Sequence, residues 1–322
     1  MYASDPDPVS RVPVSSRAQI LGPEIRDPFL LAIGGTPLVP IVRLSEVSAG
    51  GFELWAKAEF LNPTGSVKDR AAFEIVRSGI EGGNFDGGRT LLDASSGNTA
   101  VAYAMLGARL GFPVELCLPR HASPDRIARI RAYGAEVIST DPAEGTDGAQ
   151  HEARRRVRER PEHYWYPDQY NHPANPLAHY RHTGPEIWQQ TTGRVTHFVA
   201  GVGTGGTISG TGRFLKEKNP AVRVVGVEPD GPIHGIEGLK HLPSALRPST
   251  YDERLVDDTI RVETEIARGM RLRLARKEGL AVGTSSGAAV AAALEVGRQN
   301  PGSIVVTVLP DADRRLEEVP TR

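Results

Sequence analysis

A lysine that follows a turn rich in proline and glycine is the first residue here suited to covalent chemistry. It is Lys68, in residues 62–70, Asn-Pro-Thr-Gly-Ser-Val-Lys-Asp-Arg, where a helical run begins. At a helix start the backbone dipole disfavours a positive charge, which biases the amine toward its neutral, nucleophilic form. Such a lysine can form a Schiff base with a carbonyl compound. Taken alone, the segment is also consistent with an exposed lysine in a first helical turn.

A glycine-rich segment, residues 201–207, follows a predicted strand and precedes a predicted helix. Glycines let a backbone approach a ligand closely, and amides at a helix N-terminus point toward an anion. Gly203, Thr204, Gly205, Gly206 and Thr207 are therefore predicted to bind a phosphate group.

The same glycine-rich segment has a second interpretation. Gly201, Gly203 and Gly206 also fit the dinucleotide fingerprint, and Glu228 ends the next predicted strand, where a ribose-binding acid could lie. A nicotinamide-dependent oxidoreductase therefore stays as an alternative. It ranks lower because it leaves Lys68 without a role.

Two further segments place small hydroxyl residues between a strand and a helix. Residues 95–99, Ser-Ser-Gly-Asn-Thr, could hold a substrate carboxylate, and Asn98 could donate to a phenolate-like oxygen. In residues 283–287, Gly-Thr-Ser-Ser-Gly, a serine could meet a ring nitrogen. Each segment alone could be an ordinary helix cap. Together with Lys68 and residues 201–207, they supply an imine-forming lysine, a phosphate site, a carboxylate site and a partner for a ring nitrogen.

These residues must be positioned by alternating strands and helices. Short β-branched runs alternate with segments of helical period, which predicts an α/β fold with mostly parallel sheets and helices on both faces. The predicted strands are 53–58, 90–94, 113–119, 136–140, 196–201, 222–228 and 303–309. A Pro-rich stretch, residues 166–176, separates two groups of such units, so two lobes with a cleft between them are expected.

Composition narrows the classes of function. The chain has 322 residues, 39% of them hydrophobic, which is enough for about two domains. A net charge of -1 predicts no nucleic acid or membrane partner and favours a small-molecule substrate. The single cysteine, Cys117, allows no internal disulfide, and residues 1–26 lack the apolar stretch of a signal peptide. We therefore expect a cytoplasmic protein.

Three of the nine histidines lie close together in the sequence, namely His172, His179 and His182. No His-Glu-x-x-His pattern accompanies them, and their segment is rich in proline. We therefore predict no metal and expect positional or substrate-facing roles.

The order of these motifs resembles the cysteine synthase and cystathionine β-synthase family. The resemblance runs from residues 33–38, Ile-Gly-Gly-Thr-Pro-Leu, to residues 309–311, Leu-Pro-Asp, and includes Gln169-Tyr170, residues 173–176 and residues 183–188. It implies the fold of type II pyridoxal phosphate enzymes, with pyridoxal 5′-phosphate as cofactor. It also implies a smaller, mobile substrate domain at 62–172, a larger domain formed by 1–61 with 173–322, and a homodimer.

Carried over position by position, the resemblance implies a role for each motif. Lys68 would be the Schiff-base and catalytic lysine, Asn98 the partner of the cofactor's ring oxygen, and Ser285 the partner of its pyridine nitrogen. Residues 203–207 would hold the phosphate. The substrate carboxylate would be bound by Ser95, Ser96, Gly97, Asn98, Thr99 and Gln169.

The activity implied is β-replacement on O-acetylserine or O-phosphoserine with sulfide, giving L-cysteine through an aminoacrylate intermediate. Departures from the family pattern at Gly35, Ala100 and His182 do not touch the cofactor chemistry directly. The second substrate is left open by residues 312–315 and by His234 and Glu237, which lie in a segment that in the family helps frame the mouth of the cleft. Cystathionine formation, diaminopropionate formation and a plain dehydratase remain alternatives within the same chemistry.

Overall fold

The larger of two sheets has six strands. The computed structural model describes residues 27–95 and 97–313. The six strands have the spatial order β1-β2-β10-β7-β8-β9, and every neighbouring pair is parallel except β1 with β2. Their bounds are β1 Leu38–Pro40, β2 Glu53–Ala58, β7 His197–Gly201, β8 Arg223–Pro229, β9 Asp258–Val262 and β10 Ile304–Leu309.

A smaller sheet of four parallel strands comes from the middle of the chain, in the order β5-β4-β3-β6. Its strands are β3 Thr90–Ala94, β4 Val114–Pro119, β5 Glu136–Thr140 and β6 Tyr164–Trp165. The predicted class, α/β with two mostly parallel sheets and helices, is confirmed. The exact domain division at residues 62 and 172 stays a prediction.

Ten α-helices connect these strands in the described part of the chain. They are α1 Ser45–Gly50, α2 Lys68–Glu81, α3 Asn98–Leu110, α4 Pro124–Ala132, α5 Gly145–Glu159, α6 Ala174–Ala178, α7 Gly184–Gln190, α8 Gly206–Lys218, α9 Thr264–Arg273 and α10 Thr284–Gln299. Two π-helical turns follow α6 and α9, at His179–Thr183 and Leu274–Glu278. None of these helices is long and apolar enough to cross a membrane within the described ranges.

Strand β10 shows how the central strands become buried on both faces. All six of its residues are buried. Val305 and Leu309 pack into one apolar cluster, while Val306 and Val308 pack into another, because successive side chains of a strand point to opposite faces. A strand covered on both faces can be apolar at nearly every position, which is why the run was recognisable in the sequence.

Candidate active site

A cavity of about 260 Å³ lies where the carboxyl ends of strands from both sheets meet. Its wall includes residues that directly follow β3, β4, β7 and β10. Parallel sheets place their ligand sites at this edge, because the loops after the strands converge there. The cavity therefore brings together segments that are far apart in the sequence.

Lys68 is the first residue of α2, as predicted, and its side chain lies in the cavity wall. Burial lowers the pKa of its amine, and the nearby carboxyl of Asp311 opposes this effect. No described residue accepts a hydrogen bond from the amine. An amine with no hydrogen-bond acceptor among the described residues can act chemically as a nucleophile or a base.

The loop before α3 is held open by its own hydrogen bonds. Ser95 Oγ accepts from the amides of Gly97 and Ala100, both at 3.2 Å. Thr99 Oγ1 donates to Gln169 Oε1 at 2.7 Å, and Gln169 Nε2 donates to the carbonyl of Ala94 at 2.8 Å. Ser95, residues 97–99 and Gln169 thus form one hydrogen-bonded cradle in the cavity wall.

The glycine-rich loop after β7 has no space for side chains at two positions. Gly205 has a φ of +85°, and a Cβ there would lie 2.5 Å from Tyr251 Cβ. A Cβ on Gly203 would lie 2.0 Å from the carbonyl oxygen of Gly238. The loop therefore leads into α8 with its backbone exposed to the cavity, as an anion site requires.

A buried histidine, His179, contacts the glycine-rich loop through the hydroxyl of Thr207. His179 lies close to Thr183 through Nδ1, at 2.9 Å from Oγ1, and to Thr207 through Nε2, at 3.2 Å from Oγ1. Burial lowers its pKa to about 3. The neutral imidazole fixes the Thr207 hydroxyl, so the histidine has a positional role, as the sequence suggested.

This histidine makes a specific contribution to pH dependence. The unfolded chain protonates it near pH 6.5, whereas the folded protein keeps it neutral down to about pH 3, so its contribution to stability is lost as pH falls below 6.5. Between pH 7 and 5 the unfolding free energy of the wild type should fall by on the order of 2 kcal/mol more than that of His179→Gln. Urea unfolding at both pH values measures this, with His151→Gln, an exposed site, as control. If the difference in unfolding free energy between the wild type and His179→Gln were the same at pH 7 and pH 5, the lowered pKa of His179 would be contradicted.

Ser285 and Asp311 also line the cavity. Ser285 is the second residue of α10 and is buried at the cavity. Asp311 follows β10, and its Oδ2 accepts from Asn98 Nδ2 at 2.8 Å. The sequence analysis gave Asp311 no role. Its position directly after a fully buried strand was the signal that could have found it.

The structure brings most of the predicted site residues to this one cavity. Its wall contains Lys68, Ser95, Gly97, Asn98, Thr99, Gln169, Gly203, Thr204, Gly205, Thr207 and Ser285. Gly206 begins α8 immediately beside them. Ser96 lies outside the described residues. By contrast, Glu228, proposed for the dinucleotide alternative, is buried in β8 away from this wall.

Comparisons with known proteins match this arrangement. The family described as "Pyridoxal-phosphate dependent enzyme" matches residues 29–311. The cysteine synthase of Aquifex aeolicus is 49% identical over 295 residues, covering 90% of each chain.

Two solved structures are also similar. The O-acetyl serine sulfhydrylase isoform 3 of Entamoeba histolytica has a TM-score of 0.83 and 33% identity, covering 91% of this chain and 90% of that one. An O-acetylserine dependent cystathionine beta-synthase of Helicobacter pylori has a TM-score of 0.84 and 33% identity, covering 91% and 98%.

Proposed function

Since this chain belongs to the family of pyridoxal-phosphate dependent enzymes, we propose that it makes L-cysteine by β-replacement on an O-activated serine with sulfide. The observation that carries the proposal is the meeting of three groups in one cavity. These are the amine of Lys68, the cradle formed by Ser95, residues 97–99 and Gln169, and the glycine loop 203–207. An amino acid and a phosphate-bearing cofactor need these groups side by side.

The residues present fit pyridoxal 5′-phosphate. Only glycine fits at 203 and 205, because a Cβ would clash with Gly238 or Tyr251, and this leaves the backbone of both residues at the cavity wall, where a phosphate could approach it. Lys68, Asn98 and Ser285 line the same wall and match in type the partners of an aldehyde, a ring oxygen and a ring nitrogen. When bound, the cofactor supplies an electron sink for the substrate's Cα.

The side chains would perform the proton chemistry. Because burial lowers the pKa of Lys68, its amine is more readily neutral and can move the proton at the substrate's Cα. The Ser285 hydroxyl carries no charge, so it would not hold a ring nitrogen protonated as a carboxylate does. This favours elimination and replacement at Cβ over transamination.

Cystathionine formation is a second candidate, because the similar Helicobacter pylori protein is an O-acetylserine dependent cystathionine beta-synthase. It uses the same first substrate and differs only in the nucleophile. The nicotinamide alternative has lost its support, because the chain belongs to a pyridoxal-phosphate family and the glycine loop shares its cavity with Lys68.

The proposal predicts a yellow protein that converts O-acetyl-L-serine. Purified enzyme should change its visible spectrum on adding O-acetyl-L-serine alone, because the first half-reaction needs no nucleophile. Adding sulfide should restore the spectrum and release cysteine, measured by a thiol-specific assay. Homocysteine in place of sulfide should restore it slowly. Fast recovery of the spectrum with homocysteine but not with sulfide would assign cystathionine synthesis. Release of pyruvate and ammonia, with no reaction of either sulfide or homocysteine, would assign a lyase.

We also propose a cytoplasmic homodimer in which residues 62–172 move as a smaller domain. Support for the location is the single cysteine, Cys117, which suits a reducing compartment. Support for association is the exposure of large apolar side chains, such as Leu31 at 68% and Leu61 at 55%. Light scattering of the purified protein measures the mass.

A further inference from the structure

Three charged residues of the cavity wall, Arg126, Glu237 and Lys240, take part in two ion pairs. Arg126 Nη2 lies 2.7 Å from Glu237 Oε2, and Lys240 Nζ lies 3.6 Å from Asp147 Oδ1. In each pair one partner belongs to residues 62–172 and the other to the segment 231–250. Arg126 and Lys240 are therefore each compensated by a carboxylate from the other of these two segments.

Arg126, on α4, contacts the loop proposed to hold the substrate. A Cβ added to Gly97 would lie 2.9 Å from Arg126 Nη1. Burial raises the pKa of Asp311, while its hydrogen bond from Asn98 and the charge of Arg126 oppose that rise. The guanidinium charge thus acts inside the cavity, next to residues 95–99.

The two partners of this pair differ in exposure. The side chain of Arg126 is 19% exposed, whereas that of Glu237 is 68% exposed. An ion pair with so exposed a partner contributes little to stability, typically about 0–1 kcal/mol. The main effect of the Arg126–Glu237 pair is on the electrostatic potential in the cavity, because Glu237 neutralises a cation that would otherwise attract anions.

We propose that Glu237 determines the specificity for the first substrate, an inference that rests on the proposed function. By cancelling the charge of Arg126, it makes the site select a serine with an uncharged ester at Cβ over one with a phosphate. A phosphate is bound best by a cation with free hydrogen-bond donors. Among the wall residues described, the lysines and arginine are Lys68, the proposed Schiff-base group, and the paired Arg126 and Lys240.

The test compares O-acetyl-L-serine with O-phospho-L-serine, each with sulfide, on purified holoenzyme. In Glu237→Gln, the ratio of kcat/KM for the phosphate ester to that for the acetyl ester should rise on the order of tenfold, because Arg126 is no longer neutralised. The rise should shrink at high salt. Inorganic phosphate should also inhibit turnover of the acetyl ester at lower concentration than in the wild type.

Two further variants separate charge from structure. The double variant Arg126→Gln/Glu237→Gln should not show the rise in the kcat/KM ratio, because it no longer has an unpaired cation at residue 126. Glu265→Gln removes a carboxylate from another exposed pair, with Arg268, and should leave the ratio unchanged. Melting temperatures should match the wild type, because both carboxylates are largely exposed.

The outcomes distinguish this inference from the proposed function. Cysteine formed from the acetyl ester, with an unchanged ratio in Glu237→Gln, would overturn the role of Glu237 alone. A wild type that uses the phosphate ester as well as the acetyl ester would also overturn it. A wild type that forms cysteine from neither ester would overturn the proposed function and, with it, this inference.

Discussion

Replacing Lys68 with alanine should lower kcat for cysteine formation by about 10³-fold or more, because the side chain is proposed as both nucleophile and proton carrier. The amine lies in the cavity wall, and burial lowers its pKa, so no other described wall lysine can substitute for it from the same position. Turnover of O-acetyl-L-serine with sulfide measures the loss.

The same variant should still bind the cofactor, because the glycine loop 203–207 is not altered. Its visible spectrum should differ from that of the wild type, since the bond between lysine and cofactor can no longer form. Lys277→Ala, at an exposed position, serves as control and should keep full activity. Activity above about a tenth of the wild type in Lys68→Ala would remove the lysine from its proposed role.

Replacing Arg70 with methionine should lower the free energy of unfolding by about 3–5 kcal/mol. Arg70 lies two residues after Lys68 on α2, with its side chain 2% exposed. Its guanidinium binds Glu59 at 2.6 Å and Glu186 at 2.7 Å, and Glu59 is fully buried. Methionine keeps much of the side chain's volume, so the loss reports the carboxylate that is left without its main partner.

Denaturant unfolding of Arg70→Met measures this loss, and the melting temperature should fall by about 10 °C. Arg254→Met breaks an ion pair whose arginine is 85% exposed and should leave the melting temperature unchanged. The double variant Glu59→Gln/Arg70→Met should recover part of the loss, because a neutral amide replaces the buried charge. A loss below about 1 kcal/mol in Arg70→Met would show that water or another cation compensates Glu59.

Local sequence pattern was sufficient for most of the framework. The predicted strands 53–58, 90–94 and 136–140 have the bounds that the structure shows, and the helix that begins at Lys68 was also predicted. Strands β2 and β3 are recognisable because they are mostly buried, whereas the edge strand β5 is recognisable from its β-branched residues. Strands β1 and β6 were missed because three and two residues show no pattern, and β9 was missed because Asp258 and Arg261 interrupt its apolar residues.

The sequence alone also predicted which motifs could carry chemistry, because a lysine at a helix start and a glycine loop after a strand act through local backbone geometry. Only the tertiary structure decided which distant side chains complete the site. Asn98 meets Asp311 from 213 residues away, and Arg126 meets Glu237 from 111. Such pairs form because two separate sheets direct their carboxyl ends into one cavity, and no local pattern encodes which residues face each other there.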